Sequence, residues 1–147
     1  MTDWNDALAA VAVAVGGDRV RGRELLMGCW NDTVESDHSQ RCVLAHYLAD
    51  LQEDLDAEVM WDELALAAYQ QTDALAFSPI GVASAEGFAP SLHLNLGDAY
   101  LRQGRVEDAR SQLTAGLAGA DALAGDGYAA MVRNGLAGLQ QRVTAAG

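Results

Sequence analysis

One stretch restricts the fold of this 147-residue chain more than any other: Pro90 to Leu117, PSLHLNLGDAYLRQGRVEDARSQLTAGL. Leu96 and Tyr100 stand four positions apart with Gly97 between them, a spacing that gathers side chains on one side of a helix. Gly104 then breaks the chain, and Ala109 and Leu113 continue the same seam on a second helix. Gly97 and Ala109 remove bulk where two backbones would otherwise be held apart, while Leu96, Tyr100 and Leu113 fill the space around them. The stretch predicts a pair of antiparallel helices in close contact.

Weaker forms of the same spacing recur upstream. Asp3 caps a helix that runs to Val15 and ends at Gly16-Gly17, and Asp18 caps a second, Arg19 to about Trp30, stopped by Asn31-Asp32-Thr33. Setting Gly17 on Gly104 places Ala10 over Gly97, Val13 over Tyr100, Gly22 over Ala109 and Leu26 over Leu113. Ser36 or Asp37 caps the next helix, His38 to Gln52, and Asp54 the one after it, Leu55 to about Gln71. There Leu44, Ala45 and Leu48 take the places of Leu96, Gly97 and Tyr100, and Ala57 and Trp61 those of Ala109 and Leu113. Starting at Asp3, His38 and Pro90, the units recur after 35 and then 52 residues. The excess is an insertion, Thr72 to Ala89, with apolar Leu75, Phe77, Ile80, Val82 and Phe88, in which Pro79 disfavours helix at Ser78. It reads either as a lid over the core or as a loop that touches a ligand. After Gly125-Asp126-Gly127, a last helix from about Tyr128 to Ala145 carries the stripe Met131, Leu136, Leu139 and Val143.

The third unit resembles a tetratricopeptide repeat, whose pattern is W-x-x-L-G-x-x-Y and later A-x-x-x-F at a 34-residue period. His93 stands for the Trp, Leu113 for the Phe, and no Pro follows. Segments like RCVLAHYLADLQ and PSLHLNLGDAY also make the chain similar to uncharacterised actinobacterial proteins of this kind. The resemblance implies an all-α, right-handed solenoid of antiparallel helix pairs in a single domain over 1–147. It has about three degenerate repeats (3–37, 38–71 and 90–123), the insertion 72–89 and a capping helix in 124–147.

Charge narrows the partners. The formal net charge is −12, from 21 acidic groups against 9 basic ones, every one of which is Arg. Such a surface repels phosphate backbones and anionic lipid, so neither nucleic acid nor membrane is an expected partner, and basic peptides or protein patches are favoured. The apolar run Ala7 to Val15 is too short to span a bilayer and follows two Asp residues rather than a positive flank, which points to a cytoplasmic protein. Cys29 and Cys42 give no disulfide framework or CxxC pair and are read as reduced. Abundant Ala, Gly, Arg and Asp without Lys suggest a bacterial, high-GC source.

In the tetratricopeptide family the first helix of each repeat lines a concave groove. Carried onto this sequence, the family's contact positions give Trp4, Ala7, Leu8, Val11, Ala14 and Val15 in the first repeat. They give Ser39, Cys42, Val43, His46, Ala49 and Asp50 in the second, and Ser91, Leu94, Asn95, Asp98, Leu101 and Arg102 in the third. The implied site is a peptide-binding groove, apolar at one end and mildly acidic at the other. It centres on Ser39, Cys42, His46, Asp50, Ser91, Leu94, Asn95, Asp98, Leu101 and Arg102, and needs no cofactor. A family-type carboxylate clamp does not fit, because Asp50 and Asp98 would repel the carboxylate and Arg102 is the only cation in that set.

The same residues admit other chemistries. Cys42, His46 and Asp50 share one helix face, with His38 a turn earlier, and offer thiolate, imidazole and carboxylate to a metal if His93 or Cys29 completes the set. The alternative for the same three is a groove in which Asp50 hydrogen-bonds His46 and favours its imidazolium. Nucleophilic catalysis by Cys42 lacks an oxyanion hole, so no catalytic residue is assigned. The acids Glu53, Asp54, Asp56, Glu58, Asp62 and Glu63 lack a calcium-loop pattern and read as a solvated face. Trp61 and Trp30 read as core, with Trp4 open to either environment. Three functions follow: a non-catalytic protein- or peptide-binding scaffold first, then a metal-binding protein, then a self-associating module burying the apolar first repeat in a twofold homodimer.

Overall fold

The computed structural model of the chain describes residues 3–81, 85–123, 125 and 127–147, and every regular element among them is helical. The α-helices are α1 Trp4–Val15, α2 Arg19–Asp32, α3 His38–Asp50, α4 Leu55–Tyr69, α5 Ala89–Arg102, α6 Val106–Gly119 and α7 Gly127–Ala146. Short 3₁₀ turns at Ser78–Ile80, Ala85–Gly87 and Ala120–Ala122 occupy the connections. Val82 of the insertion and Asp126 before α7 lie outside the described residues. No helix among those described is long and apolar enough to cross a membrane.

Local chemistry sets the ends. Asp3, Asp18 and Asp54 each accept a hydrogen bond from the backbone N–H three residues on, at 2.8, 3.1 and 2.9 Å, satisfying a donor that the first helical turn leaves open. Asp37 does not cap α3 in this way: its carboxylate turns back to accept the Val34 N–H at 2.9 Å and tightens the preceding turn. Gly17 and Gly104 adopt φ of 108° and 81°, the left-handed conformation that ends α1 and α5 at no steric cost. The helix α2 runs two residues past Trp30, to where the Thr33 hydroxyl donates to the Trp30 carbonyl at 2.6 Å. By contrast, α4 stops two residues short of Gln71, where Thr72 donates to the Tyr69 carbonyl at 2.7 Å.

Successive helices pair as α1 with α2, α3 with α4 and α5 with α6. The helix α3 packs on α2 and touches α1, α5 packs on α4, and α7 lies on α5 and α6. Small residues allow the approach. A Cβ at Gly22 would lie 2.5 Å from the Ala14 Cα, and one at Gly97 would lie 2.9 Å from Leu139 Cδ2 and 3.2 Å from Gln112 Cβ. Two apolar clusters result. The first, from α1 to α4, contains Leu26, Leu44, Leu48 and Trp61, and the second, from α4 to α7, contains Leu96, Tyr100, Leu113, Leu136 and Leu139. Leu66 packs against both.

The tryptophans and the insertion's phenylalanines settle into the first cluster or its edge. Trp30 meets Trp61 edge-on at 5.0 Å and carries the Arg41 guanidinium 4.9 Å above its ring, while Trp4 is partly buried against the same core. Phe77 of the insertion is fully buried, stacked on Tyr69 and tilted against Phe88, so this part of the segment completes the core. In α7 the expected stripe is corrected at one place. Val132 is buried and Met131 is 64% exposed, because the 3-4-3-4 register Ala129, Val132, Leu136, Leu139, Val143 leaves Met131 to one side.

Candidate functional site

The first helices of the pairs carry a face with two contrasting ends. At one end is a cavity of about 290 Å³ lined by Leu8 and Val11 from α1, Val43 and Tyr47 from α3, Ile80, Gly87 and Phe88 before α5, and Tyr128 from α7. Its walls are predominantly apolar. Val43, Tyr47 and Asp50 follow at steps of four and three along α3, so they share a face and span about 10 Å at a rise of about 1.5 Å per residue. Asp50 therefore stands on the face of α3 that lines the cavity, about one turn beyond Tyr47. Asp50 and Tyr128 lie close enough to Tyr47 to hold its phenol above its ordinary value, behind the larger effect of burial.

The acidic end draws on several helices. Asp98 of α5 is held by Arg102 Nε at 3.0 Å and by Arg142 Nη1 of α7 at 2.7 Å, and Arg102 also pairs with Glu58 of α4. Arg19 of α2 donates to the Asp50 carbonyl at 3.0 Å. The Asp50 carboxyl is raised above the ordinary range by partial burial and then by Glu58, with Arg19 opposing them. Beneath these groups lies Asp62 of α4, only 5% exposed. Burial first, then Asp50 and Glu58, push its carboxyl up to about 8 against the pull of Arg102, with a smaller contribution from Asp98. At neutral pH Asp62 is therefore mostly protonated and uncharged.

The sequence-derived site residues divide among several roles. Asp50, Asp98 and Arg102 come together at the acidic end. His46 and Asn95 meet beside the cavity, Asn95 Nδ2 standing 3.4 Å from His46 Nδ1. Cys42 is withdrawn from contact: it is fully buried in the first core cluster, where loss of solvent drives its thiol well above the usual range. Ser91 is buried too, its hydroxyl donating to the Phe88 carbonyl at 2.9 Å to close the first turn of α5. Leu94 seats against Gly135, where a Cβ would come within 2.5 Å of it, and so belongs to the α5–α7 contact. Ser39 is half-buried and bonds Gln40, and Leu101 is half-buried against the second cluster.

Two expectations about His46 are overturned. Its ring is walled in edge-on by Tyr47 at 5.1 Å and Phe88 at 5.4 Å, and burial lowers its pKa to about 4, so it is neutral at ordinary pH and not an imidazolium beside Asp50. Nor do Cys42, His46 and Asp50 converge on a point: the thiol faces the core, His46 Nδ1 faces Asn95, and Asp50 is exposed. Among the described residues no group of three or more His, Cys, Asp or Glu is arranged to hold a metal ion.

Asp62, Glu58 and Arg142 were not foreseen as site residues, nor were Tyr47, Phe88 and Tyr128. For Asp62 a signal existed in the register: Val59, Asp62, Leu66 and Tyr69 step by three and four along the inward face of α4, so an acid stands where an apolar side chain is expected. Compared with models of known families, with curated proteins and with solved structures, the chain matches none of them.

Proposed function

We propose that this chain is a small tetratricopeptide-like stack, with the right-handed curvature of that family, that works as a non-catalytic binding scaffold for basic peptide or protein segments. The observation that carries this reading is that one face of α3 lines the apolar cavity with Val43 and Tyr47 and then presents Asp50 of the acidic end. A segment that offers a bulky apolar side chain to the cavity and a guanidinium or ammonium to the acids is complementary to both ends at once. An extended peptide, in which residues two apart point the same way about 6.6–6.8 Å from each other, can present such a pair of side chains to this face. The overall charge of −12 adds long-range attraction for such a partner.

Selection from a random peptide display library tests this reading. Wild-type protein is expected to enrich sequences with Arg or Lys two residues from an aromatic or large aliphatic residue, and protein carrying both Asp50→Asn and Asp98→Asn to lose that preference. Enrichment of acidic sequences, or equal enrichment by the double variant at low salt, would sink the proposal.

A further inference from the structure

Asp62 is the group that the contacts already described leave without a counterpart. Asp50 from α3, Glu58 from its own helix, and Asp98 and Arg102 from α5 all lie near enough to act on its charge. It accepts no hydrogen bond from any described residue. Its neighbours are engaged: Arg102 bonds Glu58 and Asp98, Arg142 bonds Asp98, and Arg19 lies against Asp50. Arg102 and Arg142 are thus taken up by Glu58 and Asp98, Arg19 reaches Asp50 at its backbone carbonyl, and an ionised Asp62 would add a further negative charge that no guanidinium bonds. No side-chain nitrogen or oxygen among the described residues is both fully enclosed and unpartnered, so the Asp62 oxygens keep a narrow opening to the outside.

We infer that Asp62 is the floor of a seat for a single cationic side chain, Arg or Lys, brought by the peptide and flanked by Asp50 and Asp98. A partner cation supplies the positive charge and the hydrogen-bond donors that the chain itself does not aim at this carboxyl. When the cation enters, the Asp62 carboxylic acid gives its proton to solvent and the carboxylate pairs with the cation. Recognition at this subsite is therefore coupled to pH. Raising the pH from 6 toward 9 removes the competing proton and strengthens binding, by at most about tenfold per unit while free Asp62 is protonated and bound Asp62 is not. An Arg probe stays cationic throughout this range.

This inference rests on the basic-peptide reading, and the test separates the two. The probes are the end-capped pentapeptide Gly-Trp-Gly-Arg-Gly and its analogues with Gln for Arg or Gly for Trp. Each is titrated into the full-length labelled chain, wild type and Asp62→Asn, at pH 6 and pH 9, while carbon NMR follows the Asp62 carboxyl. Asn keeps the shape of the uncharged acid already present at neutral pH, and the amide spectrum reports that the variant is folded. The Arg peptide is expected to bind wild type about tenfold or more tighter at pH 9, to move the Asp62 midpoint downward, and to lose the gain with pH in Asp62→Asn. The Gln analogue is expected to show no such gain. Equal affinities at both pH values, with Asp62 unmoved while Tyr47 and Phe88 respond, would overturn the role of Asp62 and leave the groove reading standing. Failure of the Arg peptide to perturb either end would overturn both.

Discussion

The same substitution placed twice on α2 is expected to act in opposite directions. At Gly22 an added methyl would sit 2.5 Å from the Cα, 2.6 Å from the Cβ and 2.9 Å from the N of Ala14, and nothing there can rotate aside because two of the three atoms are backbone. Ala is the better helix former by about 1 kcal/mol. Overpacking against a fixed neighbour costs about 3 kcal/mol at the upper end of its usual range, so Gly22→Ala should lose about 2 kcal/mol net. At Gly28, exposed on the same helix, a methyl meets nothing within 4 Å. Gly28→Ala should therefore keep the gain of about 1 kcal/mol. At about 2–4 °C per kcal/mol for a chain of this size, thermal unfolding followed by circular dichroism should show Tm falling about 4–8 °C for Gly22→Ala and rising about 2–4 °C for Gly28→Ala. Adding Ala14→Gly should not restore Gly22→Ala, since the contact with the Ala14 Cα remains. If Gly22→Ala stabilises as much as Gly28→Ala, the tight nesting of α1 on α2 is wrong.

Further predictions concern buried groups. Asp62 is held protonated up to about pH 8 in the folded chain against an ordinary value of 3.8, so the folded state binds the extra proton and stability falls as pH rises through that window. In urea titrations Asp62→Asn should gain on wild type between about pH 4 and 8, by up to about 1.4 kcal/mol per pH unit, with a flat difference refuting the burial argument. His46, lowered to about 4 from 6.5, should stay neutral at pH 5.5 by nitrogen NMR, and its contribution to stability should be lost only on acidification below about 6.5 toward 4. A midpoint near 6.5 would contradict the enclosure by Tyr47 and Phe88. Phe77→Ala should cost about 3–5 kcal/mol in denaturant unfolding if the insertion is part of the core, whereas a loss under about 1 kcal/mol would make it a loose cover.

The helices were legible because their signals are local. Asp3, Asp18 and Asp54 cap, Gly17 and Gly104 turn, and small residues recur at steps of three and four, all within a few positions of one another. What escaped depends on neighbours distant in sequence. Cys42 and Asp50 lie on one helix, yet one is sealed in the core and the other exposed, because α1 and α4 cover only part of α3. The pairing of His46 with Asn95 in place of Asp50 is set by how α5 lies beside α3, which spacing within α3 does not encode. Asp62 stands beside Glu63 in an acidic run, and that acidity masks its inward register. The two ends of the site were visible in outline from the apolar first helix and the acids Asp50 and Asp98. Tyr128 and Arg142 enter only through the packing of α7.

A map of amide chemical-shift changes, made while the highest-affinity selected basic peptide is added to the labelled chain, tests most directly whether this face is where partners bind. The account predicts changes concentrated at Leu8, Val11, Tyr47 and Phe88 around the cavity and at Asp50, Asp98 and Arg102 beside it, fading as salt is raised. Changes centred instead on exposed Met60 and Leu64 of α4, or on Val15 and Val20 at the α1–α2 turn, with these positions still, would contradict it.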